Sequence, residues 1–203
     1  MNATGITVTA SGAASATPDR AILQFAAETS APNVQAAVER ATAAIGVMRN
    51  ALLEAGVAAS DLRSTQASVY REHDRGARRY VARFGLSATV QDVTAAGSIA
   101  QAALAAGGDS ARMDGLSFTH ADPAALRATA REIAFANARA KAEQLAGLAG
   151  RALGAVEEIT EHEAGGGGPV VPIPRPAAET GTMSFAAGEQ EVSVGVTVRW
   201  SWA

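Results

Sequence analysis

Residues 126–159 read LRATAREIAFANARAKAEQLAGLAGRALGAVEEI, and within this stretch one periodicity gives way to another. Leu126, Ala130, Ile133, Asn137, Lys141, Leu145 and Leu148 recur at steps of three and four, the spacing of one helix face. Just upstream, Asp122 and Pro123 supply an N-cap and an N1 proline, so a helix is expected from there to about Ala149. Past Gly150 a strand is expected over about 154–163. Alternation puts Glu157, Glu161 and Glu163 on one face with Ile159, and Glu158 and His162 on the other. A long helix running into a charged strand points to the α+β class.

Working outward, Ile6, Val8 and Ala10 alternate with threonines, and Ala21, Leu23, Phe25 and Ala27 alternate again after Pro18-Asp19, which gives two half-buried strands. Asn33 can cap a helix in which Val34, Val38, Ala41, Ile45, Met48 and Leu52 share a face, and Gly56 sits where a C′ glycine belongs. Strands follow at 65–75 and 78–91, joined by Gly76-Ala77 as a two-residue type II′ loop. That loop sets Asp74 opposite Arg79, Tyr70 opposite Arg83 and Val69 opposite Phe84. Asp92 caps a short helix stopped by Gly107-Gly108, and Leu116, Phe118 and His120 mark another strand. Val192, Val194, Val196, Val198, Trp200 and Trp202 close the chain at period two.

The order is ββαββαβαββ. Its middle reads as the split βαβ core of a ferredoxin-like fold, a mostly antiparallel sheet packed by helices. One domain over 1–203 is expected. Residues 164–187 interrupt it with Gly165 to Gly168 and four prolines, a surface-running linker outside the hydrophobic core.

Fifty of the 203 residues are alanine and aromatics make up only 4%, so the core must be built from small side chains at close approach. A net charge of −3 gives no footprint for binding a phosphate backbone, which argues against nucleic acid as a partner. Sixteen of the 17 basic residues are arginine; the one lysine is Lys141. Without cysteine there is no thiolate nucleophile and no disulfide framework. His120 and Asp122 lie at i, i+2, but Asp122 is better used as a cap, so no metal or other cofactor is expected. The carboxylates of 157–163 read as a charged edge strand rather than an acid–base pair. No Ser or Gly spacing matches a nucleophile elbow or a phosphate loop, and no catalytic residue is assigned.

The 126–159 block resembles the signature region of the SIMPL (DUF541) family: Lys141-Ala142-Glu143, Leu145-Ala146, then Gly150, Leu153, Gly154, Val156 and Ile159. Pro18-Asp19, Gly56, Asp61, Thr65, Tyr80, Asp92 and Gly97 add to the resemblance, which runs from about Ile6 to Trp202. It implies no catalytic residues. It implies self-association, export to the envelope in many members, and a loose link to stress defence or signalling.

The chain is therefore expected to be a non-enzymatic, homo-oligomeric interaction or scaffold protein. Arg71, Arg75, Arg78, Arg79 and Arg83 on a projecting hairpin arm, and Val170, Val171 and Ile173 in a polyproline-like strip, are its candidate contact residues. The alternative is a small-ligand carrier or an enzyme with a pocket between sheet and long helix near Asn137 and Lys141. No run is long and apolar enough to span a bilayer. If Met1 is the natural start the expected compartment is the cytoplasm, and if a signal peptide has been removed it is the periplasm or beyond.

Overall fold

A computed structural model of the chain describes residues 5–72, 78–163, 183 and 185–203. The elements are β1 (Gly5–Ala16), β2 (Arg20–Ala31), α1 (Val34–Glu54), β3 (Leu62–Glu72), β4 (Arg79–Val90), α2 (Ala96–Gly107), β5 (Ala111–Thr119), α3 (Pro123–Leu148), β6 (Leu153–Glu163) and β7 (Gln190–Trp202). This is the ββαββαβαββ order read from the sequence. The strands form two antiparallel sheets rather than one, β1-β7-β6 and β3-β4-β2-β5. The chain divides accordingly into two compact units, one with β1, α3, β6 and β7, the other with β2 to β5, α1 and α2.

In the second unit α1 begins where expected, because the Asn33 side chain accepts a 2.8 Å hydrogen bond from the Ala36 N–H. It ends in a Schellman turn. Gly56 takes φ +92°, and the Val57 and Gly56 amides donate to the Leu52 and Leu53 carbonyls. Ala37, Ala41, Met48 and Leu52 form the buried stripe and Val34 is exposed, so the helix is turned slightly from the expected face. Ala37 and Ala41 pack with Ala31 and Ala82, while Met48 and Leu52 share a larger core with Leu23 and Phe25 of β2, Leu86 of β4, Ile99 of α2 and Phe118 of β5. Phe185 and Ala187 also pack against it, so the end of the 164–187 stretch is not the free linker expected. Residues 164–182 lie outside the described part.

The β3–β4 register differs from expectation by two residues. Tyr70 faces Val81, Val69 faces Ala82 and Glu72 faces Arg79. A shift of two leaves every side chain on its face, so the apolar pattern could not detect it. Arg83 is not on a projecting arm either, since β4 is an inner strand of its sheet. Its guanidinium bonds Glu28 on β2 at 2.9 Å and also Asp114 on β5. These bonds, to Asp114 foremost, raise the Arg83 pKa further. Asp114 reaches this position because the β2–β5 register slips at Gln24/Phe25.

Arg83→Ala should therefore lower stability by about 2 kcal/mol, the scale of hydrogen bonds to charged groups, since it leaves two carboxylates facing each other. Arg79, which among the described residues donates from Nε to the Ser30 hydroxyl at 2.9 Å and enters no ion pair, should lose under about 1 kcal/mol on the same change. Denaturant melts of the two variants check this. Equal, small losses would contradict it.

In the first unit Asp122 caps α3 by accepting from the Ala124 and Ala125 amides at 3.0 and 3.2 Å. The row buried is not the expected one, of which only Ala130 is shared. Ala130, Ala134, Ala138, Ala142 and Ala146 face the sheet, while Ile133, Leu145 and Leu148 are exposed. The reason lies in β1: a Cβ on Gly12 would run into the Ala130 carbonyl and the Ala134 amide. Helix and strand backbones therefore touch, and only alanine fits along such a seam. Val194, Val196, Val198 and Trp200 of β7 with Val8 of β1 form the opposing layer. Phe135 packs on Trp200 with ring centroids 6.4 Å apart.

Candidate functional site

The alanine seam fixes what α3 places beside it. Asn137 and Lys141, four residues apart, are separated by about 6 Å along a helix, close to the rise of two residues in a strand. They meet the outer edge of β1 in step. Asn137 Nδ2 donates to the Ser11 carbonyl at 2.9 Å and Lys141 Nζ to the Thr9 carbonyl at 3.1 Å. With β7 on its other side, β1 thus has part of the edge that no described strand pairs covered by side chains.

These two residues also line an open groove of about 620 Å³ with Thr9, Ala10, Ser11, His162 and Gly195. Asn137 and Lys141, named from the sequence for a pocket between sheet and long helix, stand here at the outer edge of β1. The groove's other walls were not foreseen, because they come from three strands. Ser11, Gly195 and His162 stand in register across β1, β7 and β6. Alternation puts them on the helix-free side of the sheet, since Val194 and Val196 point to α3. The His162 ring lies across Gly195, where any Cβ would strike it. The only signal available beforehand was the Ser/Thr parity of β1, which marks a wetted face without naming its partners.

The opposite edge of this sheet has a different character. Helix α3 packs on β1 and β7 and scarcely touches β6, so Val156 and Ile159 are exposed, Ile159 to 56%. In β6 the faces read from the sequence hold for Ile159 with Glu161, opposite Val198 and Val196, and for Glu158 with His162, opposite Arg199 and Gly195; only Glu157 departs, because the register shifts between Val156 and Glu158. Glu157 pairs with Arg199 at 2.9 Å, while Glu161 pairs with Arg131 of α3. Hydrogen bonding to Arg131 holds the Glu161 carboxyl below its ordinary 4.5. These two pairs make it an ion-paired edge.

Of the remaining candidates, Arg71 and Arg78 are exposed, on β3 and just before β4. Arg79 and Arg83 are held by β2 and by β2 with β5, as described above. Arg75, Val170, Val171 and Ile173 lie outside the described residues. His120 has a buried Nε2 with no hydrogen-bond partner among the described residues, and Asp122 caps α3. Among the described residues no three His, Asp or Glu side chains gather as a metal site, and no helix is long and apolar enough to cross a membrane.

Two relatives, each named 26 kDa periplasmic immunogenic protein, come from Brucella melitensis biotype 1 (strain ATCC 23456 / CCUG 17765 / NCTC 10094 / 16M) and Brucella abortus (strain S19). Each is 29% identical over an alignment of 216 residues that covers 95% of this chain and 82% of the relative. The model of the SIMPL family, a protein of unknown function (DUF541), matches residues 6–200. That span takes in both sheets, the alanine-seamed helix and the groove beside it, so the chain belongs to the SIMPL family.

Proposed function

We propose that this protein is a non-enzymatic interaction or scaffold protein that works by assembling with copies of itself. The observation that carries the reading is β6, which among the described residues pairs on one edge only, with Val156 and Ile159 exposed beside it. An apolar unpaired edge invites another chain, and its glutamates suppress indiscriminate pairing without covering the apolar residues. The small-residue core adds support. Alanine buries little area, so a further apolar contact between subunits stabilises such a chain disproportionately.

An exported location is part of the proposal, supported by the periplasmic name both relatives carry. So is a ferredoxin-like core in the second unit, supported by its β2–α1–β3–β4–α2–β5 run and its β3-β4-β2-β5 order with antiparallel neighbours. The single-domain reading is also kept. Each unit is drawn from separate stretches of chain, so neither is a continuous piece that could be cut out whole.

Light scattering on a Val156→Lys, Ile159→Lys double variant tests the contact surface. Both sites are exposed, so monomer stability should change by only about 0.5 kcal/mol per site. The mass should fall to the 20.5 kDa of a single chain. An assembly of unchanged mass would remove β6 from the interface.

A further inference from the structure

We infer that the groove beside β1 binds a small oxyanion, the carboxylate or phosphate group of a small solute, with Lys141 as its charged anchor. Its volume of about 620 Å³ falls within the range of small-molecule sites. Its lining is rich in donors. Thr9, Ala10, Ser11, Asn137, Lys141, His162 and Gly195 include one fixed cation and no carboxylate.

Lys141 donates one hydrogen bond, to the Thr9 carbonyl. An ammonium has three N–H groups, so two are left for an incoming group. Among the described residues Lys141 enters no ion pair, and the nearby Glu143 is held by Arg139 at 2.9 Å. Asn137 likewise keeps one amide N–H after bonding the Ser11 carbonyl. The Ser11 hydroxyl and the His162 ring, laid down over Gly195, add two more donors from the strands. An ammonium on a flexible stem, with three rotatable donors, can serve a strand carbonyl and a ligand together. The inference does not draw on self-assembly, since Val156 and Ile159, which carry that proposal, are not among the lining residues.

Isothermal titration calorimetry of the full chain with sodium phosphate, and separately with sodium citrate, tests it against sodium chloride at equal ionic strength. Saturable binding of at least one oxyanion is expected, with about ten- to a hundredfold weakening in Lys141→Met, the scale of losing a charge-assisted bond. Lys141→Met also frees the Thr9 carbonyl, so Ser11→Ala and His162→Gln, which leave the β1 edge bonds in place, are measured beside it. Each should weaken binding severalfold with an unchanged melt. Phosphate alone binding would point to phosphate esters, and citrate alone to carboxylates. No saturable heat from either oxyanion would overturn the inference, as would an affinity that all three variants retain.

Discussion

Replacing Gly12 with valine is expected to lower stability by about 3 kcal/mol, the upper part of the range for overpacking. For a chain of this size that is about 6–12 °C in melting temperature. The size of the effect follows from what the new Cβ would meet, the backbone of α3 at Ala130 and Ala134, which cannot step aside as a side chain can. Either the helix lifts off the sheet or β1 leaves it. Gly147→Ala is the control on the same helix: nothing lies within 4 Å of its Cβ position, so the change should stabilise by about 0.5–1 kcal/mol. Thermal melts of both variants check the contrast. A Gly12→Val protein that melts with the parent would refute the seam.

Phe25→Ala should have a comparable or larger effect in the second unit, about 3–5 kcal/mol, or about 6–20 °C. Phe25 is only 1% exposed, in a core whose other buried residues, apart from Phe118, are no larger than methionine and leucine, with Phe185 packed against it. Both tryptophans lie on β7 in the first unit, so fluorescence reports one unit and far-ultraviolet circular dichroism reports both. If the chain unfolds as one domain, the two signals should shift together in Phe25→Ala. A fluorescence transition left at the parent temperature would mean that the units unfold separately.

The order of elements was legible because each carries its own period and its own punctuation, such as Asn33, Gly56 and Asp122. Partnership was less so. The period-two run of Val192 to Trp202 says that one face is buried, but nothing in it says that the cover is β1, the other end of the chain. The buried row of α3 was obscured by composition. With alanine at so many positions several rows look apolar, and the bulk of Ile133 and Leu145 favoured the wrong one. What selected the alanine row was Gly12, more than a hundred residues away in sequence. The same misreading pointed to the site, because the polar breaks in that row, Asn137 and Lys141, mark where the helix meets the strand edge. Ser11, Gly195 and His162 carry no such local mark.

Self-association is the central claim, and sedimentation velocity of the unmodified protein across a wide concentration range tests it most directly. The account predicts a discrete species at a whole-number multiple of 20.5 kDa, populated increasingly as concentration rises. A single species of 20.5 kDa at every concentration would contradict it.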